Sequence, residues 1–129
     1  MDYSYSKTIY TTFRNAEEMI KKSLFKIGFG ILTEISINDA FKEKLNISFK
    51  KYKILGACNP TLAHQAIEKE PNIGILMPCN IIIIDNEDGS VNIIFPQAKK
   101  ILEVTNNNKL NDIIQEVDIL LESAFNNIK

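Results

Sequence analysis

Residues 52–85 decide the fold of this chain and read YKILGACNPTLAHQAIEKEPNIGILMPCNIIIID. Two apolar segments, Tyr52–Cys58 and Cys79–Asp85, are typical of strands. The segment between them begins with residues that favour the start of a helix. Asn59 is a favoured N-cap residue, and Pro60 suits the first helical position because its missing N–H has no intrahelical partner there. The stretch therefore predicts a strand, a helix and a second strand.

The sequence before residue 52 predicts an opening strand, a helix, a second strand and a short helix. Asn15 and Glu18 form a capping-box pattern that starts the first helix, and Gly28 ends it. The strand at 29–37 alternates in polarity. This alternation predicts one shared face for four apolar residues, Phe29, Ile31, Ile35 and Ile37.

The remainder of the chain completes the sheet and its helices. A turn at Asp88 and Gly89 predicts a hairpin between Cys79–Asp85 and the strand that follows. A short helix comes next, and residues 110–126 form a closing helix with a wide apolar stripe. The order of elements indicates the α+β class, with helices packed on a mostly antiparallel sheet of about five strands. We expect a single domain over residues 1–129.

Four consecutive isoleucines, Ile81 to Ile84, place aliphatic side chains on both faces of one strand. Both faces therefore require burial. Helices can cover one face of a single sheet, so the other must be covered by additional helices or by a second subunit. Because twofold association is the commonest closed assembly, we expect a homodimer.

The composition restricts the class of protein. The chain has 129 residues, of which 45% are hydrophobic and 24% charged, and its formal net charge is −1. Scattered lysines without a positive patch argue against nucleic acid as a partner. No signal peptide is evident, and the longest aliphatic run is too short to cross a membrane. The chain is long enough to fold without disulfide bonds or a structural metal, so its two cysteines indicate the cytoplasm, where thiols stay reduced.

Four motifs resemble the family called domain of unknown function 302, and they cover nearly the whole chain. They read GFGILTEI at 28–35, YKILGACNP at 52–60, LAH at 62–64 and IGILMPCN at 73–80. The resemblance implies an α+β fold like the TATA-binding-protein superfold (β-α-β(4)-α with an extra helix) in a dimeric protein. It implies no established reaction and no catalytic residue. The positions that match its motifs are Cys58, Asn59, Pro60, His64, Pro78, Cys79 and Asn80.

The two cysteines are the first candidates for chemistry. Cys58 and Cys79 each lie at a strand end and precede an asparagine, Asn59 and Asn80, so both thiols could reach one rim of the sheet. They could act as a thiol or persulfide pair, or bind a metal or haem with His64 as a third ligand. The predicted helix start after Cys58 favours a lowered thiol pKa. The interpretation we favour is that both cysteines are small buried apolar residues and that Asn59 is a helix cap.

His64 and Glu34 are the remaining candidates. His64 could act as ligand or base, but a hydrogen bond to Glu68 one turn later explains it equally well. Glu34 is either a buried carboxylate with a raised pKa or, as we favour, a solvent-facing strand residue. No Ser-His-Asp set, phosphate-binding loop or paired-carboxylate motif is present, which argues against nucleophilic hydrolysis.

The sequence favours a small cytoplasmic binding or accessory module with a pocket near the GACNP and MPCN segments, where polar and thiol groups meet an apolar core. The ligand-binding candidates are Cys58, Asn59, His64, Cys79, Asn80 and Glu34, and the metal candidates are Cys58, Cys79 and His64. The alternatives are a thiol enzyme or sulfur carrier that uses Cys58 with Cys79, a metal- or haem-binding protein, and a purely structural dimerisation domain. The ligand and any cofactor stay open.

Overall fold

The computed structural model describes residues 3–129, which form five strands and five α-helices. In chain order these are β1 (Ser4–Ile9), α1 (Phe13–Lys26), β2 (Gly30–Ser36), α2 (Ile37–Leu45), β3 (Tyr52–Cys58), α3 (Pro60–Lys69), β4 (Cys79–Asp85), β5 (Val91–Pro96), α4 (Ala98–Leu102) and α5 (Asn111–Asn126). Short 3-10 turns occupy Pro71–Leu76, Glu103–Thr105 and Asn108–Leu110. None of the helices in the described range combines the length and apolarity needed to span a bilayer. The predicted α+β class is confirmed.

The five strands form one fully antiparallel sheet in the order β1-β5-β4-β3-β2. Strands β2 to β5 are neighbours in sequence as well as in space, whereas β1 pairs with β5 at the far edge. Helix α1 therefore carries the chain from one edge of the sheet to the other, and it contacts β2, β4 and β5 on the way. This crossing covers one face of the sheet.

The apolar core lies between the covered face and the helices. Ile81 and Ile83 of β4 are fully buried there, as are Ile20 of α1 and Leu121 of α5. Alternation along the strand directs Ile82 and Ile84 to the opposite, uncovered face, where they are half-buried. Strand β4 is therefore apolar on both faces, as the run of four isoleucines predicted.

The N-cap of helix α1 lies three residues earlier than predicted. The Thr12 hydroxyl accepts a hydrogen bond from the backbone N–H of Asn15 at 3.0 Å, so Thr12 is the N-cap and Asn15 lies within the first turn. The earlier start lets Phe13 pack against the core. The predicted end is confirmed, because Gly28 follows the C-cap in the left-handed region with φ of 85°.

A bulge in β2 makes the predicted shared face of that strand wrong. Ile31 is paired with Ala57 and Thr33 with the adjacent Gly56, so Leu32 is one extra residue in the ladder. An extra residue reverses the direction of every side chain after it. Ile31 consequently packs against the core, whereas Ile35 lies on the uncovered face and is 47% exposed.

The first strand is tied to the last helix. The Lys7 ammonium group donates hydrogen bonds to the carbonyl oxygens of Phe125 at 2.7 Å and Ile128 at 2.6 Å. It also lies 4.2 Å from the centroid of the Phe125 ring. The last carbonyls of a helix have no intrahelical partners and carry partial negative charge, so a lysine is well suited to this position.

Candidate functional site

A groove of about 630 Å³ opens at the end of the sheet where β4 begins and β5 ends. The segment 75–80 forms one wall and α4 forms the other, and the floor continues onto the uncovered face through Ile82 and Ile94. The MPCN segment thus contributes Met77, Pro78, Cys79 and Asn80 to the groove, whereas no residue of the GACNP segment, 56–60, lines it.

The lining of the groove is apolar with a few polar side chains and no charge. Hydroxyl and amide groups come from Tyr3, Ser4, Ser6, Tyr52 and Asn80. Among the described residues, those that line the groove include no Asp, Glu, Lys, Arg or His. A charged molecule would lose its hydration here without gaining a counter-charge. The groove is therefore suited to an uncharged, mainly apolar molecule.

A second, inner cavity of about 50 Å³ lies directly behind the groove, between β3, α3 and α5. Both cysteines contribute to its lining, so the GACNP and MPCN segments meet here. The two cavities share five wall residues, which are Leu76, Met77, Pro78, Cys79 and Leu102. The rest of the inner lining is the apolar core itself.

Gly56 allows the segment before β4 to pack closely against β3. A Cβ atom at this position would collide with the Thr33 hydroxyl and would lie 2.6 Å from Cγ of Pro78. The close approach is thus made by two side chains, one from the bulged strand β2 and one from the groove wall. Gly56 fixes where Pro78 lies, and the Met77–Pro78 peptide bond is cis.

Both cysteines are free, and neither is activated. Ala57, rather than Cys58, is the residue opposite Cys79 in the ladder. Burial raises the pKa of the Cys58 thiol, opposite in direction to the lowering expected at the start of α3. Burial and the neighbouring Cys58 raise the pKa of Cys79 to about 11. Near neutral pH both therefore remain thiols rather than nucleophilic thiolates.

His64 lies apart from both cavities, and the predicted metal ligands do not come together. The His64 side chain is 76% exposed, and its Nε2 atom is 3.1 Å from a carboxylate oxygen of Glu68. Residues 3–129 contain no group of three or more His, Cys, Asp or Glu side chains that could hold a metal ion. Asn59 lines the inner cavity and caps α3, because its Oδ1 atom accepts a hydrogen bond from the N–H of Leu62.

Glu34 faces solvent at the edge of the sheet, away from the groove. Its carboxylate forms ion pairs with Lys53 at 2.9 Å and Lys21 at 3.0 Å. Hydrogen bonds from Lys53 and then Lys21 lower the pKa of Glu34. The bulge in β2 explains this placement, since it directs Glu34 toward α1, where both lysines also pair with Glu17. Glu34 thus links a helix to the sheet.

The family described as domain of unknown function DUF302 matches residues 5–128. The chain belongs to the DUF302 family. A solved structure with the same fold is an uncharacterized conserved DUF302 protein from Bacillus stearothermophilus, which is 22% identical to the present chain. The likeness covers 100% of both chains, with a TM-score of 0.89. No curated protein matches the chain in sequence.

Several groove residues of this DUF302 chain have no distinctive sequence signal. Ser4 and Ser6 reach the groove because β1 pairs with β5, and that pairing joins strands more than 80 residues apart. Ile94 reaches it by alternation along β5, which the sequence indicates, but its face becomes known only with the sheet order. Asn80 was identified because it follows Cys79 in the MPCN motif. Tyr52 carries a hydroxyl that signals nothing by itself.

Proposed function

We propose that this DUF302 chain is a binding module for a small, uncharged and largely apolar molecule, which occupies the groove. The observation that carries the proposal is a concave site of about 630 Å³ whose lining combines isoleucine, proline and methionine with a few hydroxyl and amide groups and no charge. Ligand pockets in proteins have this volume and this mixture of an apolar lining with a small number of orienting polar groups.

The test is a fluorescence titration with Nile red, an uncharged apolar dye, followed by its displacement with 1-octanol. Ile94→Asn places a polar group on the groove floor and should weaken dye binding at least about tenfold, since the replaced side chain buries apolar surface. Ile119→Asn is the matched control, because Ile119 is 57% exposed on α5 and does not line the groove. Equal affinity of both variants and the unmodified protein would contradict the proposal.

We further propose that the chain forms a homodimer through an apolar edge, defined as residues 32–49. Five of the exposed large apolar side chains belong to this edge, namely Leu32, Ile35, Leu45, Ile47 and Phe49. They lie on β2, at the end of α2 and in the connection to β3, beside rather than within the groove. A second copy is the occupant we favour, because a twofold contact sets one apolar patch against the same patch and needs no charge complementarity.

Sedimentation velocity tests the dimer over a range of protein concentrations. Leu45→Glu introduces a charge at a residue that is 59% exposed, so it should dissociate the dimer without disturbing the fold. Ile119→Glu makes the same kind of change on the other side of the chain and should leave the dimer intact. An unmodified protein that sediments as a monomer at all concentrations would overturn this proposal.

The thiol-based alternative has less support than the binding module. Burial raises the pKa of Cys58 and of Cys79, so neither side chain is favoured as a thiolate. A metal or haem role has no assembled group of ligands within residues 3–129. The two free thiols agree with the cytoplasm, which we propose as the compartment because thiols are kept reduced there.

A further inference from the structure

The wall between the groove and the inner cavity is one side chain thick. Leu76, Met77, Pro78, Cys79 and Leu102 line both spaces, so each presents one side to the groove and the other to the core. A displacement of one or two of these side chains would join the two spaces. Ser6, Tyr52 and Asn80 lie on the groove side of this wall, and residues of α3 and α5 enclose the inner cavity on the other side.

The inner cavity is apolar. Beyond the shared wall its surface consists mainly of Leu62, Ala66, Ile73, Ile113 and Val117, which belong to the core. A water molecule in a cavity needs two or more polar partners. The polar side chains here are Asn59, whose Oδ1 atom already accepts a hydrogen bond from Leu62, and the two cysteines, whose thiols are weak donors. Core atoms that face an empty space lose their dispersion contacts. An alkyl group is therefore the chemical group best suited to fill this cavity.

Met77 and Leu102 are the wall residues best able to move. Methionine has a flexible, unbranched side chain that adapts to irregular spaces. Leu102 is the last residue of α4, a helix of only five residues with no side-chain cap, and a 3-10 turn follows it. In contrast, Pro78 is fixed against Gly56, and Cys79 is held in the β4 ladder. Met77 and Leu102 are therefore the two side chains whose displacement would open the wall.

We propose that the groove and the inner cavity are one binding site for an uncharged amphiphile with a single unbranched alkyl chain. The chain end enters the inner cavity through displacement of Met77 and Leu102, and a hydroxyl or carbonyl head remains in the groove, which offers hydroxyl and amide partners. This inference rests on the proposed binding function and adds the class of ligand and the direction in which it binds.

The affinities of 1-hexanol, 1-octanol and 1-decanol provide the test. Each methylene group that leaves water should tighten binding about fourfold until the inner cavity is full. Ala66→Leu fills the inner cavity, since Ala66 lines that space and not the groove. This variant should weaken 1-decanol at least about tenfold and leave 1-hexanol within about twofold. A ratio of the two affinities that the substitution does not change would overturn the inference.

Ala98→Leu is the matched control, because Ala98 is as well buried as Ala66 but lines only the groove. It should weaken all three alcohols by a similar factor. If Ala66→Leu does not fold, nuclear Overhauser effects in the unmodified protein decide the matter. The terminal methyl group of 1-decanol should give them to the methyl groups of Ile73 and Ile113, which line the inner cavity alone. Effects confined to Ile82 and Ile94 would refute the inference.

The two proposals fail in different ways. If Nile red and all three alcohols leave the unmodified protein unbound, the groove is not a ligand site and the binding function itself is wrong. If the alcohols bind with displacement of Nile red but 1-decanol contacts only the groove floor, the binding function stands and the inner cavity is not part of the site.

Discussion

At the scale of single residues, Gly56 controls how closely the groove wall approaches the sheet. We expect Gly56→Ala to lower the free energy of unfolding by about 1 to 3 kcal/mol, because the new methyl group overlaps the Thr33 hydroxyl and the Pro78 ring. Urea denaturation measures the change. Gly30→Ala is the control, since a Cβ atom at Gly30 meets nothing within 4 Å. Equal losses in both variants would show that the close approach is not the cause.

The reactivity of Cys79 is a second residue-scale prediction. Its pKa of about 11 leaves a very small thiolate fraction at pH 8. A Cys58→Ala variant keeps burial, the larger of the two causes of the raised pKa, and isolates the Cys79 thiol. Iodoacetamide should modify this thiol at least about tenfold more slowly than free cysteine. The rate should rise about tenfold for each pH unit up to pH 10. Mass spectrometry follows the adduct, and fast modification at pH 7 would contradict the burial of this thiol.

The thiol pKa shows what a local pattern leaves out. The helix start after Cys58 favours a lowered pKa, whereas burial by elements distant in sequence raises it. A glycine within an apolar strand indicates a bulge or the close approach of another backbone, but the groups packed over Gly56 are the side chains of Thr33 and Pro78. The residues next to a cysteine in sequence do not reveal how deeply the fold buries it, so desolvation of the thiol could not be predicted.

At the scale of elements, two lysines and two glutamates join α1 to β2 and β3. Glu34 has a lowered pKa because Lys53 and Lys21 donate hydrogen bonds to it. A carboxyl group whose pKa is lowered by folding stabilises the fold above its unfolded pKa and loses that contribution as the pH falls through its folded pKa. We therefore expect the free energy of unfolding to decrease below about pH 5, and Glu34→Gln to flatten this decrease.

The size of this effect should be modest. Glu34 is 43% exposed and solvent screens its ion pairs, so Glu34→Gln should cost less than about 1 kcal/mol at pH 7. Glu18→Gln is the control, because its pair with Arg14 spans 3.6 Å and both side chains are largely exposed. Chemical denaturation at a series of pH values measures both variants. If the free energy of unfolding falls as steeply below about pH 5 in Glu34→Gln as in the unmodified protein, Glu34 is not the cause of the decrease.

The elements themselves were largely predictable, and the exceptions depend on contacts between elements. Helix α3 begins at Pro60 as predicted, because the asparagine cap and the proline are local signals. The start of α1 was misplaced because Thr12 and Asn15 are both good caps, and packing of Phe13 selects the first. The bulge at Leu32 has no local signal, since it depends on how Thr33 fits over a glycine of the neighbouring strand.

At the scale of the whole molecule, one apolar cluster includes residues from every helix except α2. Leu121→Ala should lower the free energy of unfolding by about 2 to 5 kcal/mol, because Leu121 is fully buried and its loss leaves a cavity. Ile119→Ala on the exposed side of the same helix should cost less than about 1 kcal/mol. Thermal or urea denaturation distinguishes the two, and similar losses would contradict this placement of α5.

The groove is the part of the molecule that the sequence could indicate only in outline. The MPCN motif located one wall, because reactive and polar residues are concentrated there. The opposite wall comes from α4, and part of the floor comes from the first strand, so the site exists only when β1 has paired with β5. No pattern in the sequence indicates which distant strands pair with each other. Ser4, Ser6 and Ile101 were therefore not predicted as groove residues.

The contacts of Lys7 with Phe125 and Ile128 have a consequence for protein synthesis. A ribosome makes Lys7 before strands β2 to β5, and its carbonyl partners only after them. Strands β2 to β5 can pair in the order in which they emerge, whereas β1 must wait for β5 to be translated. Strand β1 is therefore the last of the five to join the sheet, and its lysine is secured only once residues 125–128 have left the exit tunnel.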